Sequence, residues 1–223
     1  MEEAGAAGTP AASSGRRHGD VERVWLVVLQ QLADSVAHEL RNALNGVAVN
    51  LEVVRSRSGR DGVAASALGS FASSASDQLE AVIQMTDALM TLSRPPHDPA
   101  VIGRTADLVA ALVRPPLAAS GGSLDVIVEG EGNTRVPADA ARLFVAATLR
   151  AAVAATLDGA AGSARGGALR CRVRPTGGGG GELVVDGAMR QTPLLDESVW
   201  QLAKAYGVGV VPTESSITLT FPA

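Results

Sequence analysis

Two apolar stripes, each recurring at alternating spacings of three and four residues, restrict the fold of this chain more than any other feature. The first runs Leu29, Ala33, Val36, Leu40, Leu44, Val47, Leu51, Val54, and the second Leu68, Phe71, Ala75, Leu79, Val82, Met85, Leu89, Leu92. That spacing puts one apolar residue on the same side of every helical turn. It predicts a helix from about Val21 to about Arg57 and a second one that stops at Arg94-Pro95-Pro96, because proline cannot continue a helix. The SGRDG sequence at 58–62 supplies a glycine-rich turn between them. Two long helices joined this way form an antiparallel hairpin. A single hairpin cannot cover both stripes, so the economical expectation is that two chains pair into a four-helix bundle, a homodimer.

Composition removes several classes of function. With 46% hydrophobic residues among 223, the chain has ample material for a core. Nineteen Lys and Arg against 23 Asp and Glu give a net charge of -4, without the basic excess of a nucleic-acid binder. Uninterrupted apolar runs such as VWLVVL are far short of the ~18 residues a membrane span needs, so no membrane partner is expected. No charged, then apolar, leader opens the chain, and the single Cys171 has no internal partner; a cytoplasmic location is the expectation. Cys171 itself falls in an alternating run and reads as a small apolar residue. Residues 1–20 form an Ala, Gly and Ser tract without periodic apolar pattern, expected to be a disordered tail in which His18 is solvated and incidental.

Beyond the helical hairpin, assigned to 21–96, the pattern changes. In residues 97–223, LDVIVEG (124–130), ALRCRVR (168–174), ELVVDG (182–187) and SITLTFP (216–222) read as strands. Ala138 to Leu157 and Leu194 to Tyr206 read as helices. This layout predicts an α/β sandwich with a mixed or antiparallel sheet. The GGGGG at 177–181 lies between two strand patterns and lacks the Lys-Ser/Thr of a P-loop, so it reads as a hairpin connection. Gly207-Val208-Gly209 follows a helix and reads as its stop.

The polar side of the first helix carries the chemistry. His38 lies two residues from both Val36 and Leu40, which at about 100° per residue sets it opposite the apolar stripe. Asp34, Arg41, Asn42 and Asn45, at three, four or seven positions from it, share that outward side. The string His38-Glu39-Leu40-Arg41-Asn42 resembles the phosphoacceptor box of two-component sensor histidine kinases, whose usual form is HE(L/I)R(N/T)PL. LMTLSR at 89–94 looks like the end of the second helix of their dimerisation domain. VPADAARLFVAATLRAA, and LAKAYGVGVV with SITLTFP, look like parts of their ATP-binding domain. The resemblance implies a dimeric helical bundle carrying the phosphorylated His, followed by an ATPase-like α/β sandwich.

The second half departs from that pattern. In the family, asparagines on the nucleotide helix hold the magnesium that bridges the phosphates; the stretch 134–160 here contains no Asn or Gln. A hard cation needs oxygen ligands, which alanines do not supply. Asp186-Gly187-Ala188-Met189-Arg190 keeps the Asp of the family's DxGxG turn but not its spacing, and only QTPLLDES stands where a nucleotide lid would follow. The expectation is therefore a degenerate ATP-binding-like domain with no cofactor bound by this chain. What such a chain resembles is a histidine phosphotransferase derived from a degenerate kinase, whose partner is a response-regulator receiver domain that brings its own magnesium.

On that resemblance His38 is the phosphoacceptor, Glu39 fixes its tautomer, and Asn42 hydrogen-bonds the transferring group or a water. Arg41, with Asp34 and Asn45, contacts phosphate or partner. Glu39 and Asn42 also permit a receiver phosphatase. The same residues allow two other readings: a divergent sensor kinase that autophosphorylates His38, and a non-catalytic pseudokinase that dimerises and sequesters a receiver. Ala43 stands where the family usually has proline, so the helix should bend less below the His, against kinase-style autophosphorylation.

Overall fold

The structure, a computed structural model, describes residues 10–59, 65–96, 101–130, 132, 134–157 and 167–223. Its elements run α1 (Pro10–Ser58), α2 (Ala65–Ser93), α3 (Ile102–Ala119), β1 (Ser123–Val128), α4 (Ala138–Leu157), β2 (Ala168–Pro175), β3 (Gly181–Gly187), α5 (Glu197–Ala205), β4 (Gly209–Pro212) and β5 (Ser216–Phe221). The molecule is α+β, a long helical hairpin packed against helices α3, α4 and α5, with α3 and α4 in turn lying on a five-stranded mixed sheet.

The hairpin forms where the two stripes predict it, and its turn at 58–62 lies largely outside the described residues. Asn50 Nδ2 donates to Gln78 Oε1 at 3.2 Å between the two helices. Beside this bond the Gln78 carboxamide occupies the space that a Cβ on Gly46 would take. The stripe on α1 needs correction. Val21, Val28, Leu32 and Val36 are buried, and Leu40 is half-buried, whereas Leu44 and Leu51 further along are 50% and 53% exposed. Burial by the α/β layers fades along α1, and beyond Leu40 the described neighbour is α2, through Asn50 and Gln78.

The start of α1 needs correction too. Residues 10–20, expected to be a disordered tail, are helical, and residues 1–9 lie outside the described residues. A tertiary contact holds this stretch of small residues in a helix. The Arg17 guanidinium sits 5.9 Å from the centre of the Tyr206 ring and donates to the Ala205 carbonyl. His18, expected to be incidental, places Nδ1 2.9 Å from Asp139 Oδ2 and Nε2 3.4 Å from Glu22 Oε1.

The sheet order is β1-β2-β3-β5-β4, with β1 parallel to β2 and every other pair antiparallel. The parallel pair requires a crossover, which α4 provides between β1 and β2. Alternation is strict in the central strands β2, β3 and β5. Leu169, Cys171, Val173, Leu183, Val185, Ile217, Leu219 and Phe221 point into the core, while Arg172, Arg174, Glu182 and Asp186 line the opposite, open face. Against the buried face lie α3 and α4, and the apolar core runs without interruption from Val28, Leu32 and Leu92 through Val109 and Leu117 to Phe144 and Leu183.

Helix α4 is long and apolar enough to pass for a membrane span, but 72% of its apolar window is buried inside the protein. It is the central core helix, with Ala140, Leu143, Phe144, Ala147, Leu149 and Val153 all enclosed. Helix α3 forms despite Pro115 and Pro116 near its end. Its inward stripe of Ile102, Ala106, Val109, Val113 and Leu117 outweighs the lost backbone bonds. Helix α5 begins at Glu197 rather than Leu194, leaving Leu194 73% exposed ahead of it. It ends as the glycines predict: Val208 N–H reaches Ala203 O at 2.9 Å, Gly207 N–H reaches Lys204 O at 3.2 Å, and Gly207 takes φ +70°. The glycine run at 177–181 is the β2–β3 hairpin connection, closed by Thr176 N–H to Gly180 O at 2.9 Å.

Candidate functional site

His38 stands on α1 two residues beyond Val36, the last fully buried residue of the helix, and its ring is exposed. Asp34, Arg41, Asn42 and Asn45 are exposed on the same side, and Glu39 is half-buried next to it. Asp34 and Asn42 are each four residues from His38, about 6 Å along the axis. Among the described residues none of these six side chains has a hydrogen bond or ion-pair partner within the chain. The inward side of α1 at the same level is anchored through Val36 and Leu40. A rigid support therefore carries a set of uncommitted polar groups, with an imidazole in their midst open to approach.

The second region singled out by sequence lies between α4 and the chain after β3. There is a hollow of about 210 Å³, floored by Ala147, Ala151 and Ala154 and edged by Arg150, Thr192 and Asp196. Arg150 places Nη2 3.7 Å from Asp196 Oδ2, and its Nε is buried without a hydrogen-bond acceptor. The connecting chain is pinned onto the helix by Arg190 N–H to Ala155 O at 2.8 Å. Asp186, which sequence aligns with an adenine-binding carboxylate, lies on the open face of the sheet and bonds Arg172 at 2.5 Å. In-and-out alternation along β3 decides this, since Leu183 and Val185 take the inward positions.

Cys171 is fully buried under the helices, and desolvation pushes its thiol up to about 12. It behaves as the small apolar residue its strand pattern predicts. Among the described residues no group of three or more His, Cys, Asp and Glu side chains is gathered as a metal centre.

No protein-family model matches the sequence, and no curated protein is significantly similar to it. Solved structures with related geometry include the blue-light activated histidine kinase of Erythrobacter litoralis EL346, 16% identical with a TM-score of 0.39 over 86% of this chain and 59% of that one. The histidine kinase domain of the same protein is 13% identical with a TM-score of 0.43, covering 86% of this chain and 94% of that one. The histidine kinase AdeS of Acinetobacter baumannii is 11% identical with a TM-score of 0.42, covering 83% and 97%. This chain thus spans less than two thirds of the first of these proteins and nearly the whole length of the other two.

Proposed function

We propose that this protein is a two-component signalling protein that takes and passes a phosphoryl group at His38, acting on response-regulator receiver domains without binding ATP itself. The observation that carries the reading is the presentation of the HELRN sequence: His38 exposed on a buttressed helix, with Asp34, Arg41, Asn42 and Asn45 around it and none of them bonded to another side chain among the described residues.

In the proposed step a ring nitrogen of neutral His38 attacks the phosphorus of a receiver aspartyl phosphate. An N–P bond forms, the P–O bond to the aspartate breaks, and the carboxylate leaves with its electron pair. The other ring nitrogen must carry the proton, and Glu39, by turning its carboxylate toward it, fixes that tautomer and stabilises the imidazolium as it forms. Arg41 offsets phosphate charge, and Asn42, one turn on, hydrogen-bonds the transferring group. With a water in place of His38 as nucleophile, Asn42 and Glu39 would orient that water, and the outcome would be receiver dephosphorylation. Magnesium for either step comes with the receiver.

Two features support transfer without ATP. The hollow beside α4 is smaller than the roughly 300–1,000 Å³ of ordinary small-molecule pockets, and apart from Arg150 its helical wall is alanine. The homodimer is supported by exposed apolar residues, Leu44 and Leu51 of the α1 stripe, Leu79 of the α2 stripe, and Ile83 and Met90 beside it, because a second hairpin would bury what the first leaves exposed.

The test is to incubate the purified protein with radiolabelled Mg-ATP, alone and then with a donor kinase and its receiver, alongside His38→Ala. Label reaching His38 only through the receiver is the expected result. Label from ATP alone would make the protein a divergent kinase, and receiver binding that is indifferent to His38→Ala without any transfer would make it a non-catalytic sequestering protein.

A further inference from the structure

A crevice of about 680 Å³ opens where the docked part of α1, the chain leaving α2 and the first turn of α4 meet. It is about three times the size of the hollow beside α4. Its α1 lining ends at Leu26, twelve residues before His38, about 18 Å along the helix, so binding there is measured without any phosphotransfer. Half of its lining is apolar. Trp25 and Leu26 come from α1, and Pro95, Pro96 and Pro137 from the two approaching chain segments.

The charges lining the crevice are unevenly satisfied. Its acidic groups have a basic neighbour, since Asp139 and Glu22 both lie within ion-pair distance of His18 and Asp139 Oδ1 accepts the Ala140 N–H at 2.8 Å, while Asp139 Oδ2 is buried without a hydrogen-bond donor. Arg142 donates one N–H to the Arg94 carbonyl at 2.7 Å, but among the described residues neither Arg94 nor Arg142 has a carboxylate within ion-pair distance. Arg142 is half-buried, and burial first, then the neighbouring positive charge of Arg104, pull its pKa below the usual arginine value, with Asp139 opposing. A guanidinium held in partly desolvated surroundings with unused donors is costly unless an anion meets it.

We propose that this crevice is a binding site for a small aromatic carboxylate, its carboxylate taken by Arg94 and Arg142 and its ring laid against Trp25 and the prolines. Arginine forks match a planar carboxylate, and an aromatic body suits a wall of Trp and Pro rings. Such a ligand touches α1, the α2–α3 connection and α4 together. Bound ligand therefore clamps the hairpin to the α/β layers, and the thermal midpoint rises with its concentration.

The experiment uses the full chain carrying Trp200→Phe, so that Trp25 is the sole indole reporter. 2-Naphthoate is titrated by calorimetry and by Trp25 fluorescence, beside its neutral isostere 2-naphthamide, benzoate and indole-3-acetate. The expected result is a 2-naphthoate Kd below about 1 mM, with 2-naphthamide at least ~10-fold weaker. Arg142→Gln and Arg94→Gln should each weaken 2-naphthoate about 10-fold, the worth of one charged hydrogen bond. Arg94 is exposed, so its variant tests the site even if Arg142→Gln misfolds. Leu51→Asp, on the distant bare stripe, should leave binding unchanged. Equal binding of the amide, indifference to Arg94→Gln, loss on Leu51→Asp, or no binding of any of the three carboxylates at about 10 mM would overturn the proposal.

Discussion

The two ends of the α1–α2 hairpin carry the same apolar signal and meet different fates. Near the α/β layers Val28, Leu32, Val36, Met85 and Leu92 are enclosed, while toward the turn Leu44, Leu51, Leu79 and Ile83 remain roughly half exposed. Periodicity states only that a helix has a face to bury; which neighbour buries it is decided by where the rest of the chain folds back. His38 falls at the boundary, after Val36 and before Leu44, where the helix is already rigid and its surroundings are still open.

Truncating one residue at each end puts this contrast to its strongest test. Leu32→Ala, at the docked end, should cost about 2–5 kcal/mol in urea unfolding, because the surrounding helices cannot close the cavity. Leu51→Ala should cost the monomeric chain no more than about 0.5 kcal/mol, and an equal loss at both sites in samples that light scattering finds monomeric would mean that the distal stripe is buried within the chain itself. Leu44→Asp together with Leu51→Asp should leave a folded protein that light scattering finds monomeric; a dimer surviving both changes would put the interface elsewhere.

The core beneath α4 adds a pH dependence absent from the hairpin. The folded Cys171 thiol titrates at about 12, above its unfolded value, so its contribution to stability is complete below the ordinary thiol range. It is lost as pH rises from there toward about 12. Cys171→Ala should flatten that part of the stability profile, and in the wild type a thiol reagent at neutral pH should react only after denaturant is added. The smallest effect is expected at the start of α1. His18 is 61% exposed, so His18→Ala should lower stability by at most about 1 kcal/mol. A larger loss would show that the terminal turns, rather than Val28 and Leu32, dominate docking.

Much of this arrangement is legible in the sequence, for identifiable reasons. Leu169, Cys171 and Val173 alternate with three arginines, and that alternation places β2 and its two faces with no further information. Gly207 and the proline pair after Arg94 end helices by local chemistry alone. The start of α1 is not legible, because an Ala, Gly and Ser tract has no periodic face and its helix depends on Tyr206 and Asp139, nearly two hundred and over a hundred residues away. Helix α3 hides behind Pro115 and Pro116, which local rules read as a breaker and a packed stripe overrides. For the site, the period of α1 is enough to put His38, Arg41 and Asn42 on one outward face. Asp186 shows the limit: its neighbours in sequence invite comparison with a nucleotide-binding turn, whereas the pleat of β3 sends its carboxylate to Arg172.

Helix α1 is unbroken from Pro10 to Ser58. At about 1.5 Å per residue it is a rod that spans the docked half, the histidine and the bare half with no joint between them. The turn where Arg17 meets Tyr206 and the turn that carries His38 belong to one continuous helix. Mechanically the molecule is a shaft held in a bearing at one end, and the bearing sets the direction in which the histidine faces.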